Sequence, residues 1–392
     1  MKRFLLTLVL AVVPFFMSVA ADVEDGYYRV HNYKTKRYVY VCDNTGKVDY
    51  VALTADMGAI QLWKGHDRTY SDPASIIYLK RIGETSGGTY YNLYSQGTNV
   101  KQIIDHYVFL HYTSGYYQLY AEGKYLCDGE TSSSEDGSMG IDKIADAYRR
   151  WIADKVDSNT DEWFGITPTV NADGRKLHPF YADFGFSRVP QDMKVWYVKA
   201  VDKEGAVIKE ITDNIIPARV PVIIECTQEN ASDNRLDLKY SYDAGPKDNK
   251  LSGVFFNNRY RPSSPDARKV YDASTMRVLG VMSDGRPGFV LSTVTPDTKT
   301  KKQYLEANKS YLIVGPDIPD EIPLITEAEY EEILARRIED SIAAVTPVAF
   351  DRYVALDVYM ISGRNLGKLT REEIQQLPAG VYIIDNRKVV IK

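Results

Sequence analysis

Cysteine, histidine, clustered positive charge and long apolar runs are all scarce in this chain, and each scarcity narrows what it can do. Its three cysteines, Cys42, Cys127 and Cys226, are odd in number and widely scattered. They form neither a disulfide framework nor a metal-ligand pattern. A single Cys42–Cys127 bridge and three buried thiols both fit the spacing. The five histidines are His31, His66, His106, His111 and His178. His106 and His111 lie five apart in the strand-like DHYVFLH, which sends them to opposite faces and argues against a shared metal. H-E-x-x-H, G-x-S-x-G and a glycine-rich phosphate loop after a strand are absent, so no cofactor or metal is expected. Cys127, in GKYLCDGE, reads as a strand entering a turn rather than as a thiol nucleophile. No Lys/Arg cluster stands out, which argues against nucleic acid, whose phosphates require concentrated positive charge. Paired carboxylates are harder to dismiss, because 53 acids offer many pairs and sequence carries no distance between them.

The long apolar run begins at Phe4, behind Lys2 and Arg3, and reaches Met17 before the small residues Ser18 to Ala21. This pattern predicts a secretory signal peptide over residues 1–21. Pro14 and the shortness of the run argue against an uncleaved spanning helix, which needs about 20 apolar residues. No cysteine follows the small residues, which argues against a lipoprotein. No later segment is apolar enough to span a bilayer, so no transmembrane segment is expected after signal cleavage. Cleavage removes two basic residues and no acids, leaving 46 basic against 53 acidic residues and a net charge of −7.

What the chain has in excess is tyrosine, 30 residues. Tyrosine suits the pleated, half-buried surface of a sheet and also the amphipathic contacts of a binding site. From Asp25 onward, short alternating segments such as YYRVHN and RYVYVCD are broken by turn residues, which predicts a barrel or sandwich. A tyrosine pair recurs as Tyr27-Tyr28, Tyr90-Tyr91 and Tyr116-Tyr117, suggesting a threefold repeat with uneven spacing. Gln61-Leu62-Trp63 forms a Q-x-W triplet and YVYVCDNTGK a strand and turn. With these features residues 22–165 resemble a degenerate ricin-type β-trefoil, in which three four-stranded units close a barrel and the Q-x-W tryptophan is a core residue. Trp163 in DEWFGI is a candidate remnant of a second copy. From Met139 to Val156, the spacing of Ile141, Ile144, Tyr148, Trp151 and Ile152 predicts an amphipathic helix packed on the barrel.

Residues 166–326 form a second β-rich region. Strand candidates lie at 195–201, 206–211, 220–226, 251–256, 277–282, 288–294 and 310–315, a layout that predicts a sandwich. The segments 216–225 and 305–314 echo one another as a turn followed by an apolar strand. This region resembles a sandwich module found beside lectin-like domains in bacterial surface proteins. Residues 327–345 form a helical linker opened by a Thr326/Glu329 capping box, with Tyr330, Ile333, Leu334, Ile338 and Ile342 on one face and Pro347 closing it.

The last segment, 346–392, contains the strand DVYMI, the turn SGRN, a capped helical turn at Thr370–Gln376, the strand VYIID, the turn NR and the strand KVVIK. Gly363, Arg364, Leu377, Pro378, Gly380, Tyr382, Lys388 and Lys392 match the pattern of type IX secretion C-terminal sorting domains, which this segment resembles over about a tenth of the chain. The resemblance implies engagement of the secretion machinery and location outside a Gram-negative cell, secreted or on its surface.

The fold class expected is therefore mainly β: a β-trefoil-like barrel, a β-sandwich, a linker helix and a small C-terminal sorting segment. The function expected is non-catalytic binding, carbohydrate-binding or adhesin-like, with a glycan or a host or matrix protein as partner. Sugar sites need an aromatic face and a hydrogen-bond acceptor. Asp43, Asn44 and Tyr50, or Tyr125 and Asp128, supply those types, with turn chemistry and core packing as their alternative roles. Two other readings are a secreted hydrolase with an ancillary lectin-like domain and a β-trefoil protease inhibitor presenting the loop Thr131–Gly137.

Overall fold

The computed structural model describes residues 24–41, 60–64, 73–85, 88–95, 108–111, 115–121, 124–129, 136–141, 146–182, 184–190, 192–239, 245–254, 269–343 and 355–391. The protein is mainly β. Contacts divide it into two compact units, one ending at Leu324 and one spanning Ile325–Lys392.

The first unit begins with ten strands: β1 (Gly26–Asn32), β2 (Tyr38–Val41), β3 (Ile60–Trp63), β4 (Ile76–Thr85), β5 (Gly88–Ser95), β6 (Val108–His111), β7 (Tyr117–Ala121), β8 (Lys124–Asp128), β9 (Asp136–Ile141) and β10 (Trp151–Lys155). Six of them close a ring. β1 pairs with β4, β4 with β5, β5 with β6, β6 with β7, β7 with β10 through Trp151 and Tyr117, and β10 returns to β1 with Tyr28 opposite Lys155. The hairpins β2–β3 and β8–β9 stand outside the ring and join through β3–β9. This is the connectivity expected of a β-trefoil-like barrel, and closure leaves the ring without unpaired sheet edges.

The tyrosine pairs mark the first strand of each unit: Tyr27-Tyr28 lies in β1, Tyr90-Tyr91 in β5, and Tyr116-Tyr117 at the start of β7. The second tyrosine of every pair is buried, with Tyr28 4%, Tyr91 0% and Tyr117 3% exposed. The rings of Tyr91 and Tyr117 meet edge to face, 6.1 Å apart. The uneven spacing of the pairs follows from what lies between them, the three strands β2, β3 and β4 in one interval and the single described strand β6 in the other.

The amphipathic helix expected at Met139–Val156 does not form. That stretch contains the end of β9, a 3-10 turn at Asp146–Arg149, and β10. The residues of the apparent helical stripe sit on different elements. Trp151 is fully buried and its indole N–H donates to the Leu126 carbonyl at 3.3 Å. Pairing with β1 and β7 closes the ring and outweighs the local 3-to-4 spacing.

The rest of the first unit contains β11 (Val170–Ala172), β12 (Arg175–Phe180), β13 (Gly185–Arg188), β14 (Lys194–Val201), β15 (Ala206–Glu210), β16 (Ile215–Ile216), β17 (Val222–Glu225), β18 (Leu236–Lys239), β19 (Leu251–Gly253), β20 (Met276–Val281), β21 (Pro287–Val290), β22 (Ser310–Ile313) and β23 (Ile322–Thr326). All seven expected strands are present. Ten strands form one sheet in the order β11-β12-β17-β14-β15-β23-β21-β20-β22-β19, and β16-β13-β18 form a second. The long sheet curls over a common core in which Leu177, Val198 and Ile223 of one half pack with Leu279, Phe289 and Leu312 of the other.

A second core continues into the barrel region: Tyr27, Ile76 and Tyr78 pack with Phe164, Phe180, Phe184 and Phe186. Trp163 belongs here, its ring 5.1 Å from Phe184 and 5.6 Å from Phe180. It is therefore not a Q-x-W remnant of the barrel. Its place is set by Asp161, which caps the 3-10 turn Glu162–Phe164 by accepting the Trp163 N–H.

The C-terminal unit contains α1 (Glu327–Ala343), β24 (Leu356–Met360), β25 (Asn365–Leu369), α2 (Arg371–Gln375), β26 (Gly380–Ile384) and β27 (Arg387–Ile391). The expected Thr326/Glu329 capping box forms, and the capped turn expected at Thr370 is a second one. Glu329 accepts from the Thr326 N–H at 2.6 Å while Thr326 Oγ1 accepts from the Glu329 N–H at 3.2 Å, and Thr370 and Glu373 repeat the arrangement. The sheet order is β25-β24-β26-β27; β25 is a strand that the sequence pattern did not reveal. Asp385 and Asn386, with φ of 47° and 60°, make the two-residue turn between β26 and β27, the left-handed geometry that such hairpins need. Among the described residues, no helix is long and apolar enough to cross a membrane.

Candidate functional site

The residues expected to bind sugar do not come together as a site. Asp43, Asn44 and Tyr50 lie outside the described residues. Asp128, expected to accept from a sugar hydroxyl, is instead fully buried, accepting from Arg37 Nη1 at 2.9 and 2.8 Å and from Thr35 Oγ1 at 2.6 Å. A carboxylate so enclosed is a structural partner of Arg37 and has no access to a ligand hydroxyl. Tyr125 is half-buried, with the Arg149 guanidinium 5.6 Å from its ring centroid. Gln61 and Trp63 pair through their backbones in β3, opposite Ser138 and Asp136, and Leu62 between them is fully buried. Most of the loop Thr131–Gly137 lies outside the described residues; Asp136 and Gly137 belong to β9. Cys127 is buried, and Cys42, its conceivable bridge partner, lies outside the described residues. His106 does too, whereas His111 ends β6.

A different group of polar and aromatic side chains meets at the rim of the barrel, where the chain leaves β1 and where it enters β7 and β10. Tyr33 is 47% exposed; its N–H donates to the Arg150 carbonyl at 2.8 Å, and Lys36 Nζ lies 5.0 Å over its ring. The Arg150 guanidinium lies 4.5 Å over the ring of Tyr116, within cation–π range. Arg150 Nε donates to Asp146 Oδ2 at 2.8 Å, and the other Asp146 oxygen accepts from Gln118 Nε2 at 3.4 Å. The hydrogen bond to Asp146 raises the Arg150 pKa above its ordinary value, so the guanidinium stays charged at every physiological pH.

The rim therefore presents an exposed tyrosine face beside a carboxylate and a guanidinium held in place by each other and by Tyr116. Such a surface can stack on a sugar ring and accept or donate hydrogen bonds to its hydroxyls. It contains no nucleophile paired with a base. Among the described residues no group of three or more His, Cys, Asp or Glu side chains could hold a metal ion. The sequence does not reveal the rim, because Tyr33, Tyr116 and Arg150 are brought together only by β1–β10 and β7–β10 pairing; the third tyrosine pair, beginning at Tyr116, is the one local signal.

In the C-terminal unit the residues of the sorting pattern divide into core and turn. Tyr382 is buried with Val358, Ile374, Ile384 and Val389, and Leu377 packs against them. The Tyr382 hydroxyl donates to the Pro378 carbonyl at 2.9 Å. Gly363 and Arg364 are exposed on the turn after β24, where Gly363 has φ +85° and its N–H donates to the Met360 carbonyl at 2.9 Å. That backbone conformation favours glycine. Gly380 opens β26 and Lys388 is exposed in β27. Lys392 lies outside the described residues.

Among solved structures, a designed three-fold symmetric protein, ThreeFoil, is similar over its whole length to 34% of this chain, at 16% identity and a TM-score of 0.24. A chain from the structure of a mosquitocidal holotoxin is similar over 76% of this chain and 45% of its own length, at 8% identity and a TM-score of 0.24. No protein-family model matches the chain. No curated protein matches it.

Proposed function

We propose that this chain is a non-catalytic binding protein, secreted by or displayed on a Gram-negative bacterium, whose ricin-like β-trefoil barrel recognises carbohydrate. The observation that carries this reading is the rim group of Tyr33, Tyr116, Asp146 and Arg150. It joins an exposed aromatic face to polar groups already fixed in orientation, which lowers the ordering cost of binding. The step from barrel to sugar rests on this geometry, because the same fold serves unrelated functions.

A glycan array probed with the secreted chain, with a protein array alongside, tests it. Specific glycan hits that weaken at least tenfold in Tyr33→Ala and Tyr116→Ala are expected. A blank glycan array from folded protein, or hits indifferent to both substitutions, would remove the rim as a lectin site.

Export belongs to the same proposal: residues 1–21 direct the chain out of the cytoplasm and the segment 346–392 addresses it to the secretion machinery. The separate core of the C-terminal unit supports this, since that core leaves Gly363 and Arg364 exposed at a turn. Deleting Leu356–Lys392 is expected to hold the protein in the periplasm, and unchanged surface display would refute the sorting role.

A further inference from the structure

A cavity of about 370 Å³ opens in the curled ten-stranded sheet, well away in sequence from the barrel rim. Its size falls in the range of roughly 300–1,000 Å³ typical of small-molecule sites. Its wall is largely apolar, with Val254, Val278, Val281, Val294 and Leu305, and it holds two charged side chains, Lys309 and Glu306.

Lys309 is held in an unusual way. Its Nζ lies 2.9 Å from His178 Nε2, while His178 Nδ1 lies 2.7 Å from the Thr167 carbonyl oxygen. A carbonyl can only accept, so Nδ1 carries the ring proton and Nε2 is the acceptor for the Lys309 ammonium. The partner of this half-buried cation is therefore a neutral ring. Glu306, an exposed carboxylate lining the same cavity, acts on Lys309 through its charge and raises the Lys309 pKa, but makes no hydrogen bond or ion pair with it. Burial lowers the pKa of Lys309, and burial together with the nearby ammonium pushes that of His178 down to about 3. A half-buried cation whose nearest carboxylate makes no direct pair with it is only partly compensated, and an anion entering the cavity to hydrogen-bond the ammonium would complete that compensation.

We propose that this cavity binds a small amphipathic carboxylate, whose head group pairs with the Lys309 ammonium while its alkyl chain lies against Val254, Val278 and Leu305. The two Nζ protons not directed at His178 are the donors to the carboxylate. His178 acts as a positioning residue, holding the ammonium at the mouth of an apolar space. The inference is independent of the carbohydrate reading, because it concerns other residues and another ligand class.

Calorimetric titration of the full chain with octanoate, 1-octanol and acetate at neutral pH tests the proposal. Octanoate is expected to bind at least tenfold more tightly than either the alcohol, which lacks the charge, or acetate, which lacks the chain. Lys309→Met is expected to weaken octanoate at least tenfold. Val281→Trp, at a position 49% exposed on the cavity lining, is expected to obstruct the cavity and weaken octanoate similarly without disturbing the core; it decides the matter if Lys309→Met does not fold. Absence of octanoate binding, equal affinity for octanol, or undiminished binding by either folded variant would overturn the proposal.

Discussion

Arg29 and Asp161, 132 positions apart, form a two-pronged ion pair: Nε donates to Oδ2 at 2.9 Å and Nη2 to Oδ1 at 3.0 Å. Arg29 sits in β1 of the barrel and also donates to Ser75 Oγ, while Asp161 caps the 3-10 turn that places Trp163 and Phe164 in the second core. The side chains are 2% and 5% exposed. One ion pair thus ties the barrel strand to the segment that begins the second β region. Removing one partner leaves a buried charge, which costs about 3–5 kcal/mol. Arg29→Met and Asp161→Ala are expected to show losses of that size in urea denaturation, and a double variant should lose less than the sum of the two.

Asp128 makes a parallel prediction inside the barrel. Its pairing with Arg37 and Thr35 is enclosed, so Asp128→Ala is expected to cost about 3–5 kcal/mol of stability and to affect all ligands through folding alone. Glycan binding by the fraction that remains folded should match the parent protein. A selective loss of binding with unchanged melting would show instead that Asp128 reaches ligand.

His178 predicts a pH dependence with a definite sign. Its pKa falls from 6.5 to about 3 in the folded protein, through burial first and the Lys309 ammonium second. The neutral ring is thus favoured by folding, so its contribution is fully present above pH 6.5 and is lost as pH falls from there towards 3. The slope from this one proton is at most about 1.4 kcal/mol per pH unit. His178→Gln is expected to flatten the stability profile over that window; an unchanged profile would contradict burial of His178 as a neutral ring.

Cys226 is buried, and that burial, aided by the Glu225 carboxylate, pushes its thiol up to about 12. Since the thiolate is the reactive form, Cys226 is expected to resist iodoacetamide at pH 8 in the native protein and to be alkylated rapidly in urea. Peptide mapping by mass spectrometry distinguishes it from the other two cysteines.

In the C-terminal unit, Thr370 accepts the Glu373 N–H at the start of α2. Loss of an N-cap costs about 1 kcal/mol, so Thr370→Ala is expected to lower the stability of the isolated transition of that unit by this amount and to leave the first unit unchanged. Differential scanning calorimetry separates the two.

The features legible in the sequence were those written within a few residues of one another. Strands such as Lys194–Val201 and Val222–Glu225 announce themselves by β-branched and aromatic runs between turns. The Thr326/Glu329 and Thr370/Glu373 caps need only a three-residue spacing. The tyrosine pairs marked the strand that opens each barrel unit, because a buried tyrosine in a half-buried strand is a local pattern.

Tertiary structure alone decided the rest, through partners far apart in the chain. The 3-to-4 spacing that predicts a helix over β10 is compatible with several short elements, and only its pairing with β1 and β7 selects strand. Asp128 looked like a ligand acceptor until Arg37, 91 positions earlier, occupied it. The same holds for Arg150 beside Tyr116 and Tyr33 at the rim, and for Lys309, whose environment depends on His178, 131 positions away. Composition and periodicity determine that this chain is mainly β; which side chains converge is determined by ring closure and sheet curling, since those long-range pairings set burial, and burial sets the chemistry of each group.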